Sequence, residues 1–427
     1  MNRIVKQFVS LFSGTAISQL IPLAITPVLT RLYTPHEFGV YASYIAVVTI
    51  LFVLCTGRYE LAIISARNKG EASKIAMSTL FISFIFNLLL IALILLFGKE
   101  ILNVIGFNEL YNEFILVPGS LFLMSIYQTC YFLLNKYEKY NMMSRSLIIQ
   151  SFAIAIFNLI IGLYSHELGL IIGYVLGQFV SSILILISCY NNKLIYNDDL
   201  TLSEMKEVWV DYIEFPKYLI VSNLANRISL QSTVIVFTKY FNTLDVGNYS
   251  LTHRILKVPM SFLGNSISQI FRQKIDEAIN KNKDITKIYL FTLTLLFIVG
   301  LPIFGVIFLF SEQLFVIFLG EQWKPAGHFA VILAPMLFAQ FCIAPLSAMF
   351  LFDKNQKYDL IWQLVSIIIT IPVLFYTAIN YKDINISLTF YSLIYVVLYI
   401  VNMSMSFFVT RKIGGKGETK INSYRIK

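Results

Sequence analysis

Runs of about twenty apolar residues recur along almost the whole chain, and they leave few folds open to it. A helix of that length crosses the roughly 30 Å hydrocarbon core of a bilayer. Twelve segments qualify, near 8–30, 39–62, 75–97, 114–134, 147–164, 169–189, 215–237, 247–270, 286–310, 329–352, 359–379 and 387–410. In lipid every backbone polar group must find its partner within the protein, which helices achieve one segment at a time. The composition agrees. The chain is 57% hydrophobic and 13% charged, whereas globular domains carry about 25% charged residues. The sequence predicts an all-α integral membrane protein with about 12 transmembrane helices. Its first apolar run, Phe8 to Leu29, is too long for a signal-peptide core and contains Pro22 and Pro27, so it is read as a retained first span.

Lysine and arginine set the expected orientation. Of the 33 cationic residues, 25 lie in the termini and loops of one side, five on the other, and Arg227, Arg254 and Lys257 inside spans. Short cytoplasmic loops carry such an excess, so both termini are expected in the cytoplasm. The net charge of +9 is the footprint of this topology and does not call for a nucleic-acid partner. Cys55, Cys130, Cys189 and Cys342 each fall in an apolar run without a CxxC pair, which reads as core packing. His36, His166 and His328 fall in loops and His253 in a span, a scatter that suits no metal centre.

Two segments resemble each other at an offset of 208. Thr30, Gly39 and Tyr41 of TRLYTPHEFGVY match Thr238, Gly247 and Tyr249 of TKYFNTLDVGNY, and Arg31/Lys239, Tyr33/Phe241 and Glu37/Asp245 are conservative pairs. Each segment joins the first and second spans of a six-span set. The reading is two parallel six-helix bundles around a central cavity, since the site of such repeats lies between them. Residues 1–190 form the expected N-terminal lobe, 191–214 a cytoplasmic linker, 215–410 the C-terminal lobe, and 411–427 a basic cytoplasmic tail. The linker carries six acids, among them Asp198 and Asp199. Its second part, SEMKEVWVDYIEF, reads either as an interfacial helix or as a solvated tether.

The cations inside spans carry the functional argument. A charge at mid-bilayer costs roughly 2.5–3.5 kcal/mol on insertion scales, so it marks a wet or ligand-binding interior. Asn223, Arg227 and Gln231 stand at i, i+4 and i+8 on span 7. Thr15, Gln19, Thr26 and Thr30 lie within about 60° of one another on span 1. At the repeat offset Thr15 matches Asn223, and Gln19 matches Arg227. Arg254 and Lys257 share a face of span 8, and Pro259 is expected to kink that helix. Three cations with almost no buried acid nearby point to an anionic ligand. Span 2 ends in TGRYELAII. Arg58 and Glu60 are i and i+2, on different faces of a helix, and are not expected to pair within it. Glu60 reads as a gate or proton-titrating group, or else as an anchor at the span's end.

TRLYTPHEFGVYASY (30–44) and GRYELAII (57–64) resemble Wzx-type O-antigen and polysaccharide-repeat flippases of the multidrug/oligosaccharidyl-lipid/polysaccharide exporter superfamily. The twelve-span layout resembles the same superfamily along the whole chain. The resemblance implies a MATE-like pair of bundles and translocation of a polyprenyl-pyrophosphate-linked oligosaccharide from the cytoplasmic to the outer leaflet of a bacterial cell membrane. It implies no catalysis and no bound cofactor, with proton or sodium coupling left open, and as partners the bilayer and polysaccharide polymerase or assembly proteins. Arg58, Arg227, Arg254 and Lys257, with Gln19 and Asn223, are the candidate substrate-binding residues, and Glu60 the candidate coupling or gating group. Two alternatives stand beside this reading. A drug or cation antiporter of the same superfamily needs buried acids at its midplane. A membrane-embedded glycan-processing enzyme needs grouped catalytic residues, which the outward connections 98–113 and 311–328 lack.

Overall fold

The structure, a computed structural model, describes residues 3–164, 168–195, 201–260, 264–281, 284–352 and 355–425. Asp198, Asp199 and His166 lie outside them. Among the described residues the chain is helical, with no strand. Helices α1 (Arg3–Leu32), α2 (Pro35–Cys55), α3 (Lys69–Ile105), α4 (Val117–Lys136), α5 (Tyr140–Leu163) and α6 (Gly169–Asn191) come first. A short helix α7 (Leu202–Asp211) leads to α8 (Ile220–Tyr240), α9 (Thr243–Pro259) and α10 (Asn265–Asn280). The chain ends with α11 (Ile285–Leu319), α12 (Lys324–Ile343), α13 (Gln356–Tyr381) and α14 (Ile384–Arg425). Two compact units result, Met1–Gly247 and Asn248–Lys427.

Ten helical stretches among the described residues are long and apolar enough to cross a membrane. The two expected spans that fall short are 215–237 and 247–270, which hold the intramembrane cations. Helix α8 carries Asn223, Asn226, Arg227 and Gln231 within its 21 residues. Within span 8, α9 ends at Pro259 after 17 residues, about 25 Å of helix; Met260 and Gly264 are π-helical, and α10 begins at Asn265.

Small polar side chains hold the first unit together, as in helix packing within lipid, where apolar burial alone gives no preference between neighbours. Tyr44 and Ser120 share a 2.6 Å hydrogen bond. Ser83 donates to Ser125 at 2.8 Å, and the buried Cys55 thiol lies 3.1 Å from Ser83. The four cysteines are buried free thiols. Thr15, Thr26 and Thr30 turn their hydroxyls back to the carbonyls of Leu11, Pro22 and Pro27, so most of the span 1 stripe is satisfied within α1. In the second unit, Tyr289 bonds Ser406 at 2.7 Å and Thr252 donates to the Ala326 carbonyl at 2.8 Å.

The repeat has a physical content. Thr34 caps α2, with a reciprocal bond between its backbone and Glu37, the capping-box arrangement. At the offset of 208, Asn242 takes the place of Thr34 and accepts from the Asp245 amide at 2.8 Å. One turn further on stand Gly39 and Gly247. Gly39 rests against the Thr243 carbonyl, and Gly247 rests against the Pro35 carbonyl. Since 35 pairs with 243 and 39 with 247, the contact is reciprocal, the pattern of a two-fold interface built within one chain. A Cβ on either glycine would overlap backbone that cannot step aside.

The linker's second part forms α7, capped by a Thr201–Glu204 box and docked on the first unit. Trp209 stacks on Phe81 with ring centroids 6.3 Å apart, Tyr59 donates to the Trp209 carbonyl at 3.0 Å, and Tyr212 donates to Glu71 at 3.0 Å. Lys74 pairs with Glu204.

Two expectations follow. Gly39→Val or Gly247→Val overpacks the junction and lowers stability by on the order of 2 kcal/mol, read as a lower thermal midpoint in detergent. Gly305→Ala, where a Cβ meets nothing within 4 Å, leaves that midpoint unchanged. Second, the hydrogen bond from Lys74 holds the Glu204 carboxyl at about 2. A depressed carboxylate stabilises docking above its free value of about 4.3 and loses that contribution as pH falls toward 2. Trp209 fluorescence should therefore show docking of α7 weakening as pH falls from about 4.3 toward 2. In Lys74→Gln docking should already be weaker at neutral pH, and its further fall over that window should be smaller.

Candidate functional site

The site in the first unit begins where α2 fails to continue. After Cys55 the chain enters Gly57 at φ 57° and Arg58 at φ 63°, both left-handed. Glycine adopts this region freely. For arginine it costs on the order of 1 kcal/mol, and such residues cluster at functional sites. The backbone then runs into a 3-10 turn, Tyr59–Ser65.

This turn corrects the expectation that Arg58 and Glu60 do not pair. That expectation assumed an α-helix, in which i and i+2 diverge. Beyond Cys55 there is no α-helix, and Arg58 Nη1 lies 3.0 Å from Glu60 Oε1. Glu60 is fully buried, at 0% exposure. Its neighbour Arg58 keeps a side-chain exposure of 13%. Arg58 Nη2 donates to Asn223 Oδ1 on α8 at 3.2 Å, and Asn223 donates to the Leu219 carbonyl at 2.8 Å. Arg227, one turn along α8, is exposed and close enough to Arg58 for their charges to repel.

The group therefore holds two guanidinium ions, one carboxylate and one amide. Among the described residues, Arg58 Nε has no hydrogen-bond partner. Leaving buried polar groups unbonded is costly, and a net positive cluster with spare donors suits an anion. Guanidinium forks bind the oxygens of phosphates and carboxylates in pairs.

Asn223 and Gln231, read as one stripe with Arg227, do different work. Gln231 donates to Thr49 at 3.3 Å, and Thr238 bonds Ser43 at 2.8 Å. With Arg58–Asn223, from the turn just beyond α2, these make three rungs along the antiparallel seam of α2 and α8, leaving Arg227 as the residue not spent on the seam. The sequence reading missed Thr49, Ser43 and Thr238. A signal existed in Thr238, which lies at the repeat match. Gln19 is exposed on α1, and among the described residues no hydrogen bond or ion pair joins it to the cluster.

In the second unit Arg254 is half-buried and Lys257 exposed on α9. Lys257 lines a cavity of about 240 Å³ with Met260, Ser268, Gln340, Phe341 and Pro345. His253 stacks on Tyr249 with centroids 5.8 Å apart.

The chain as a whole is similar to known proteins. A family described as polysaccharide biosynthesis protein matches residues 28–328. No curated protein matches the sequence. Among solved structures, an inward-facing multidrug resistance MATE family transporter of the MOP superfamily is 16% identical, covering 96% of this chain and 95% of its own, with a TM-score of 0.70. The lipid II flippase MurJ in an inward closed conformation is 14% identical, covering 99% and 92%, with a TM-score of 0.69. A MOP superfamily transporter from Pyrococcus furiosus Vc1 (DSM3638), described as having a binding pocket of reverse polarity, is 16% identical over 97% and 96%, with a TM-score of 0.58. The fold is that of the MOP superfamily.

Proposed function

The chain belongs to the polysaccharide biosynthesis protein family, and from that premise we propose that it is a flippase for a polyprenyl-pyrophosphate-linked oligosaccharide, moving it from the cytoplasmic to the outer leaflet of the cell membrane with both termini in the cytoplasm. One observation carries this reading: Arg58, held in a left-handed turn, joins Glu60 to Asn223 beside the unspent Arg227. The likeness in fold to a lipid II flippase supports a lipid-linked cargo.

In the proposed cycle the pyrophosphate takes over Arg58 from Glu60 and engages Arg227. Binding exchanges one ion pair for another, so the guanidinium is never left bare in a medium where charge is expensive. Glu60 returns to Arg58 when the headgroup leaves. The same carboxylate is where a coupled proton would sit, if export is coupled. The seam between α2 and α8 is weak enough to rearrange. Hydrogen bonds between helices in membranes average about 0.6 kcal/mol, so its three rungs total on the order of 2 kcal/mol, within reach of a ligand's differential binding.

A drug or cation antiporter is the poorer reading. The one buried acid of this site is already paired to an arginine, and a cation would enter against two guanidinium groups.

Charge reversal tests the proposal. Arg227→Glu should cut arrival of lipid-linked glycan at the outer leaflet at least about tenfold, with normal protein level in the membrane. Normal export would remove the cluster from the pathway. Glu60→Gln should slow export several-fold, while Glu60→Asp retains most of it. Equal export by both would leave the carboxylate without a role.

A further inference from the structure

The second unit holds a groove that the proposed transport does not use. It runs between α10 and α11, has a volume of about 250 Å³, and is lined by Ile267, Ile270 and Phe271 from one helix and Ile288, Phe291 and Leu295 from the other. Lys274 and Lys287 line the same groove. From Lys287 the apolar wall of α11 extends through Leu295, about 12 Å along the helix axis. Phe291 is 65% exposed, so the groove opens sideways from the bundle.

The charges around it leave a cationic end. Lys274 makes no ion pair among the described residues. On the same helix, Glu277 pairs with Lys281, and Asp276 accepts from Asn280. Asp284 reaches Lys287 only at 3.9 Å. Its Oδ1 is engaged in capping α11, accepting from the amides of Thr286 and Lys287. Both lysines belong to the loop region 272–287, which the distribution of lysine and arginine assigns to the cytoplasmic side.

We propose that this groove is a binding site for an anionic glycerophospholipid of the cytoplasmic leaflet, with its phosphate between Lys274 and Lys287 and one acyl chain along Ile270, Phe291 and Leu295. Ammonium groups bind phosphate as point charges and need no forked geometry, which suits a lipid diester. Beyond its lysines the groove is apolar except for Thr292, whose hydroxyl is spent on the Ile288 carbonyl at 2.8 Å, which leaves little for a glycan to bond. This inference does not rest on the flippase reading.

The test uses the full chain in nanodiscs holding equal amounts of phosphatidylglycerol and phosphatidylcholine with the same acyl chains. Retained lipid is counted by native mass spectrometry, and diazirine-bearing phosphatidylglycerol maps the site. The wild type should retain phosphatidylglycerol preferentially and crosslink within α10 or α11. The double variant Lys274→Gln, Lys287→Gln should lose at least about tenfold of that preference, given roughly fivefold per lysine near a lipid surface. Ile270→Trp, which fills the groove, should lower crosslinking. Arg227→Gln should leave both readouts unchanged, which separates this site from the transport cluster. Equal retention of the two lipids by the wild type would overturn the proposal. So would a preference that survives in the double variant, or a crosslink elsewhere. Displacement of phosphatidylglycerol by stoichiometric short-chain prenyl pyrophosphate would overturn the assigned occupant in favour of a lipid-linked substrate.

Discussion

A guanidinium within a helical membrane protein must be held by counter-charge and hydrogen bonds, and here the backbone is bent to provide them. Arg58 reaches Glu60 and Asn223 together because the chain leaves the helix at Gly57 and passes through two left-handed residues. Were α2 to continue, Glu60 would turn away and the pair would be lost. The bond from Arg58 to Asn223 is also the last rung of the α2–α8 seam. One side chain therefore connects the buried acid, the seam and the neighbouring Arg227.

The seam has a second anchor at its other end. The two copies of the repeat start their second helices with the same device: a polar cap, an acid three residues on, and a glycine one turn later. Gly39 and Gly247 then lie reciprocally against the backbone of the other copy. Close backbone packing at one end and polar rungs along the length leave a joint that is sterically exact at the glycines and energetically shallow elsewhere.

Much of this was legible in the sequence, and the failures have physical causes. Apolar run length found ten spans, because insertion in lipid depends on little else. The expected spans at α8 and α9 fall short of that criterion of length and apolarity, because polar residues weaken the same signal. The match of Gly39 to Gly247 was visible because a close approach tolerates only glycine. The match of Thr34 to Asn242 was not, since two different residues cap a helix equally well. The Arg58–Glu60 pair was misread because helical spacing was applied past the end of the helix. The Thr-Gly-Arg sequence was the available warning. Asn223, Arg227 and Gln231 share a face in sequence, but only packing against α2 shows that the outer two are engaged and the middle one is not.

The most direct measurement is the affinity of the purified chain for a short-chain prenyl pyrophosphate against the corresponding monophosphate, in the wild type and in Arg58→Gln and Arg227→Gln. The account predicts that the wild type prefers the pyrophosphate, and that each substitution weakens its binding by about tenfold, the loss of one charge-assisted contact. Unchanged pyrophosphate affinity in both variants would contradict it.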